Sequence, residues 1–196
     1  MEPIVLASSS PRRKEILQRM GVPFIVVPAS IDETYPDSLD KKLVPGYIAE
    51  KKVSAVLESQ DMEKSRFILG ADTVILSGGK IIGKPSSPDE AASFMRSFQG
   101  CSHEVITGVS LYDPKTHGIE TRSAVSRVTF APMSENEIEW YVSTGEWKDA
   151  AGGYKIQGKA SFFISRIEGS ESCIMGLPIF DVYDMLKMHH FSFAES

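Results

Sequence analysis

Apolar residues come in short runs separated by turn-forming clusters, and their spacing switches repeatedly between strand-like and helix-like. Ile4-Val5-Leu6-Ala7 enters as a strand and is interrupted by Ser8-Ser9-Ser10. A helix then starts at Pro11, where a missing N–H costs nothing, with Ser10 in the N-cap position. Ile16, Leu17 and Met20 fall on one face of it, and Gly21 is placed to stop it. Residues 22–28 read as a second strand, and Ala29 to Val44 as a polar, turn-rich loop containing Asp32-Glu33. Ile48, Val53, Val56 and Leu57 predict a helix from Pro45 to about Glu58. Phe67 to Ala71 reads as a buried strand ending at Asp72-Thr73, followed by a hairpin of 74–76 and 80–82 around Ser77-Gly78-Gly79. Ser87 and Glu90 form a capping-box pattern for a helix that starts at Pro88 and stops at Gly100. Strands over 103–112 and 119–130 follow, then a second capping box, Ser134 with Glu137, opening a helix to Gly145. Ala160 to Ile167 reads as a strand, and Pro178 opens a last helix to about Met188. Hairpins intermixed with strand–helix units predict an α/β fold with a mixed sheet flanked by helices.

Composition narrows the class. The 196 residues fit a single domain spanning 1–196, with no linker, repeat or low-complexity tract. A net charge of -5 offers no global attraction to nucleic acid, so an anion site has to be local. Two cysteines, Cys101 and Cys173, are too few for a disulfide scaffold and suit a reducing cytoplasm. No secretory leader is visible, and no apolar run is long enough to span a membrane.

The first turn is the strongest candidate for chemistry. A strand feeding a helix N-terminus presents backbone N–H groups and the positive end of the helix dipole. Ser8, Ser9 and Ser10 add hydroxyls, and Arg12 and Arg13 add guanidinium forks that grip phosphate oxygens. An ordinary strand–turn–helix with solvated arginines fits the same residues. Glycine-rich phosphate loops, a GxSxG elbow and zinc-ligand patterns are all absent. Asp72, where the buried run stops, can hold a hard divalent cation or take a proton from water; it also suits a plain turn. Asp32 or Glu33 could supply a second carboxylate or be solvated loop charges. Lys52 and Lys84 are candidate phosphate partners, each equally readable as a surface lysine. The Gln157 amide can read a base edge or be an ordinary loop residue. His189-His190, at the end of the last helix, reads as structural.

Taken in order, these segments resemble the Maf-type nucleoside triphosphate pyrophosphatases, first named as septum-formation inhibitors. The resemblance is collinear over nearly the whole chain. It rests on Leu6 to Arg13, Asp32-Glu33, the helix bearing Lys52, Gly70-Ala71-Asp72-Thr73-Val74, Gly83-Lys84-Pro85, Gly152 to Gly158 and Met175-Gly176-Leu177-Pro178. It implies an elongated mixed α/β fold of two lobes around a central cleft, similar to inosine triphosphatases. It also implies a dependence on Mg²⁺ or Mn²⁺ and a homodimer. Within the family, Arg13, Thr73 and Gln157 resemble the dTTP/UTP branch rather than the branch acting on 7-methyl-GTP. Gly153 and Lys155 depart from the usual AGAYGIQG pattern. The implied activity is hydrolysis between the α and β phosphates. Asp72 would be the general base and would share a metal with Glu33. Ser8, Arg12, Arg13, Lys52 and Lys84 would bind the phosphates, while Arg12, Thr73 and Gln157, with Arg13, would set base preference. The rival expectation is a non-catalytic nucleotide-binding regulator of cell division.

Overall fold

The computed structural model describes residues 1–59 and 66–193. In chain order the elements are β1 (Ile4–Leu6), α1 (Pro11–Arg19), β2 (Phe24–Val26), α2 (Val44–Glu58), β3 (Ile68–Ser77), β4 (Lys80–Ile82) and α3 (Pro88–Phe98). They continue with β5 (Ser102–Tyr112), β6 (Ile119–Phe130), α4 (Glu135–Ser143), β7 (Ile164–Glu168), α5 (Glu171–Met175) and α6 (Ile179–Met188). Short 3₁₀ turns occupy Ala151–Gly153 and Lys159–Phe163. The strands form one 7-stranded sheet in the order β2-β1-β3-β5-β6-β7, with β4 on β3. β1 runs parallel to β2 and β3, whereas β3–β4 and β6–β7 are antiparallel, so the sheet is mixed as predicted.

The chain divides into two compact units. The first comprises Met1–Asp72, Thr107–Ala124 and Gly176–Ser196; the second comprises Thr73–Ile106 and Val125–Met175. In the first, Val5 and Ala7 of the β1 segment, Ile68 of β3, Tyr112 of β5 and the α2 residues Val53 and Val56 share one apolar cluster. α2 lies so close to β3 that a Cβ on Gly70 would stand 2.5 Å from the Ala49 carbonyl oxygen. That approach brings Lys52 of α2 alongside Asp72 of β3. In the second unit, Phe98, Phe130, Tyr154 and His103 pack ring against ring, with Phe98 and His103 centroids 4.3 Å apart.

Local sequence rules hold at several element ends. α1 closes with Val22 N–H donating to the Leu17 carbonyl (3.2 Å) and Gly21 N–H to that of Gln18 (3.0 Å), the paired pattern of a Schellman stop. Both halves of the Ser134–Glu137 capping box are made. At α3 the Ser87 hydroxyl accepts from Glu90 N–H, but the Glu90 carboxylate turns to Ser86 instead of completing the box. Gly78 and Gly79, with φ of 54° and 72°, take the hairpin turn that L side chains resist.

Four expectations are corrected. Ser10 occupies the N-cap of α1 without a side-chain cap; its own N–H instead donates to the Ser8 hydroxyl at 3.2 Å. β3 does not end at Asp72 but runs on without a break to Ser77, its last residues Ile75, Leu76 and Ser77 pairing with β4, while Lys52 neutralises the Asp72 carboxylate. The first part of the 160–167 segment is a 3₁₀ turn rather than a strand, capped by the Glu146 carboxylate, which accepts the N–H groups of Lys159 (3.0 Å) and Ala160 (3.3 Å). A short helix, α5, precedes Gly176 where none was expected. The reading of His189 as structural fits its contacts: its ring bridges Asp113 at 3.0 Å and Glu120 at 2.7 Å.

Candidate active site

In the first unit the strand–turn–helix places Ser8, Arg12 and Arg13 around the start of α1. Ser8 is buried and its hydroxyl accepts from Arg13 Nη1 at 3.0 Å and from Ser10 N–H at 3.2 Å. Arg13 Nε donates to the Gly176 carbonyl at 2.8 Å. The Met175-Gly176-Leu177-Pro178 motif thus supplies a backbone acceptor that aims the guanidinium, a role its residue types did not reveal. Burial pushes the Arg13 pKa down, the Asp72 carboxylate opposes that shift, and Arg12 adds to it. Arg12 is half-buried on the same turn.

Asp72 and Glu33 meet at one ammonium. Lys52 Nζ lies 2.8 Å from Asp72 Oδ1 and 2.8 Å from Glu33 Oε1. Lys52 is buried on α2, Asp72 is mostly covered, and Glu33 is 61% exposed in its side chain. Burial raises the Asp72 pKa above the ordinary carboxylate range, although Lys52 and Arg13 pull it down; Glu33 pushes it further up. A carboxyl raised in this way is better matched to proton abstraction near neutral pH than an ordinary one. Asp32, the other acidic residue of the loop, is committed to a turn: its carboxylate accepts the N–H of Thr34 at 3.1 Å and the hydroxyl of Thr34 at 3.0 Å. The alternatives for that pair therefore divide, with Glu33 at the cluster and Asp32 in the loop backbone.

Among the described residues no group of three His, Cys, Asp or Glu side chains is arranged to hold a metal. Two hard carboxylates converging on one cation position do fit Mg²⁺ or Mn²⁺, which takes one or two carboxylates and completes its shell with substrate phosphates and water. Asp72 and Glu33 are the residues that would hold it.

The second unit contains Thr73, Lys84 and Gln157. Thr73 directly follows Asp72 on the continuous strand, and alternation turns the two side chains to opposite faces. Lys84 is exposed after β4, and its segment is tied to the late glycine stretch by Gly152 N–H donating to the Gly83 carbonyl at 2.8 Å. Gln157 is exposed in a turn whose surroundings are fixed. The Tyr141 hydroxyl donates to the Gly153 carbonyl at 3.0 Å, and His103 Nε2 shares a 2.7 Å hydrogen bond with the Tyr154 hydroxyl. Glu146 caps the turn that follows. Burial lowers the His103 pKa to about 4 and raises those of Tyr141 and Tyr154. His103, Tyr141 and Glu146 were not anticipated as supports. Only their clustering in space identifies them; a side chain at Gly158 would run into the Glu146 carboxylate.

Comparison with known proteins gives the same family as the motifs. The family model described as "Maf-like protein" matches residues 3–189. A dTTP/UTP pyrophosphatase of Pelotomaculum thermopropionicum is 40% identical over 187 residues, covering 95% of this chain and 96% of the relative. One from Treponema denticola is 40% identical, covering 97% and 98%, and one from Halalkalibacterium halodurans is 38% identical, covering 98% of each. With the motifs in order along the chain and near-complete coverage of these relatives, this chain belongs to the Maf-like protein family.

Proposed function

We infer that the protein is a nucleoside triphosphate pyrophosphatase that hydrolyses dTTP and UTP to the monophosphate and pyrophosphate. The observation that carries this reading is the Lys52 ammonium held at 2.8 Å by both Asp72 and Glu33. It supplies a proton acceptor, a cation-binding carboxylate pair and a positive charge at one point. Relatives of nearly equal length carry the name dTTP/UTP pyrophosphatase.

In the proposed reaction water attacks the α phosphorus and gives its proton to Asp72. The α–β bridging P–O bond breaks, and pyrophosphate leaves with the bond's electron pair. Arg12, Lys52 and Lys84 neutralise the charge that grows on the phosphates, the principal need in phosphoryl chemistry. Arg13 holds Ser8 in place, and the Ser8 hydroxyl and the α1 backbone position the phosphate chain. A Mg²⁺ or Mn²⁺ ion held by Asp72 and Glu33 would polarise phosphoryl oxygens. Gln157 reads the base, since its amide offers a donor and an acceptor to the O4 and N3–H edge of uracil or thymine; Arg12 and Thr73 complete the specificity set. We place the protein in the cytoplasm as a homodimer; Cys101 and Cys173 as thiols not joined in a disulfide support the compartment. No helix among the described residues is long and apolar enough to cross a membrane.

Pyrophosphate release from a panel of canonical triphosphates, with and without Mn²⁺, tests the reading. Expected is faster turnover of dTTP and UTP than of ATP and GTP, lost on chelation. Nucleotide binding without turnover of any triphosphate would instead leave a binding-only regulator.

A further inference from the structure

Neighbouring lysines on α2 meet different parts of the acidic loop. Consecutive helical residues project about 100° apart, so Lys51 and Lys52 cannot share a direction. Lys52 meets the carboxylates. Lys51 Nζ donates to the backbone carbonyl of Asp32 at 2.6 Å and to that of Thr34 at 3.1 Å. These carbonyls flank Glu33 on both sides. The same ammonium lies 5.6 Å from the centre of the Tyr47 ring, one turn earlier on α2.

We propose that Lys51 is a positioning residue for Glu33. It pins the backbone on either side of Glu33 to α2, so the carboxylate is delivered to the cluster while its own side chain stays largely exposed. An ion pair whose carboxylate end is largely exposed, as Glu33 is in its pair with Lys52, is a weak tether for a loop. Two ammonium–carbonyl bonds do not involve the Glu33 carboxylate at all. Glu33 can therefore exchange Lys52 for a divalent cation without releasing the loop, and the cost of ordering its backbone is met before the cation arrives. The inference rests on Glu33 as a metal-binding group, as set out above.

The test measures Mn²⁺ affinity by electron paramagnetic resonance in the presence of α,β-methylene-UTP, together with amide hydrogen exchange at Glu33 and Thr34. The proteins are wild type, K51M, K51R and E33Q. K51M should weaken Mn²⁺ about tenfold, the usual scale for losing a support behind a ligand, and should speed exchange at both amides. K51R, which can reach both carbonyls, should recover most of each. Thermal midpoints of all four should stay close together. If E33Q weakens Mn²⁺ while K51M changes neither affinity nor exchange, Lys51 does not position Glu33. If E33Q binds Mn²⁺ like wild type, the metal role of Glu33 fails; faster exchange in K51M would then still establish the loop clamp, and unchanged exchange would remove that too.

Discussion

Apart from the loop residue Glu33, the two compact units carry their candidate residues in different ways. In the first, Ser8, Arg13, Lys52 and Asp72 sit on or beside regular elements, are wholly or partly buried, and are held through their side chains. In the second, Lys84 and Gln157 are exposed, and it is the backbone around them that is fixed, by Gly83–Gly152, Tyr141–Gly153 and Glu146. For Lys52 and Asp72 on one side and Gln157 on the other, the contrast suits the two tasks proposed for them; Lys84, exposed but proposed to meet phosphate, does not follow it. Charge stabilisation of a phosphoryl transition state needs fixed charges whose positions do not relax when the reaction starts. Reading a base needs an accessible donor and acceptor that become desolvated only when the base is there.

Lys52→Met should give the largest effect. It removes the cation shared by Asp72 and Glu33, and kcat should fall roughly 10²–10³-fold, the scale for losing one charge-stabilising group. The loss should be nearly equal on dTTP, UTP, ATP and GTP. Lys52 lowers the Asp72 pKa, so without it the acidic limb of the pH–rate profile moves to higher pH. A loss confined to pyrimidine substrates would break the division between the units.

Stability against pH sharpens the comparison, because two buried groups, His103 of the second unit and Asp72 of the first, respond with opposite sign. His103 is held well below its ordinary pKa by burial, at about 4. Its contribution is intact above pH ~6.5 and is lost as pH falls towards 4, by roughly 3 kcal/mol in all. Asp72 is raised, so its burial cost is relieved as pH falls and returns as pH rises through its folded value. Urea unfolding of His103→Gln at pH 7 and 4.5 should show an acid destabilisation roughly 2 kcal/mol smaller than in wild type. An unchanged difference would mean that His103 does not contribute to the acid sensitivity of the protein.

Gln157→Glu should give the smallest effect and the most selective one. The position is exposed, so the thermal midpoint should barely move. The ratio of kcat/KM for UTP to that for ATP should fall on the order of tenfold or more, because a carboxylate cannot donate to O4. An equal fall on every triphosphate would return Gln157 to the status of an ordinary loop residue.

What could be read from the chain followed the range of the interactions. Capping boxes and glycine stops are decided within a few residues, and Ser134–Glu137 and Gly21 form as their spacing indicates. Asp72 looked like a strand end because its neutralising partner lies twenty positions earlier, on α2. Phe162 and Phe163 looked like strand residues because the Glu146 cap that turns the chain comes from another segment. At the site, the residue types were legible but their division of labour was not. No local pattern separates Asp32 from Glu33, or Lys51 from Lys52. The distinction appears only when α2 packs on β3 and the loop folds against it.

The most direct test is single-turnover pyrophosphate release from UTP with Mn²⁺, comparing wild type with Asp72→Asn. The substitution keeps the shape and an oxygen for Lys52 but removes the proton acceptor. Expected from wild type is one pyrophosphate for each UMP formed, and from the variant a rate at least ~10²-fold lower with nucleotide affinity largely kept. Wild-type turnover in Asp72→Asn, or release of orthophosphate in place of pyrophosphate, would contradict the role given to the Asp72–Lys52–Glu33 cluster.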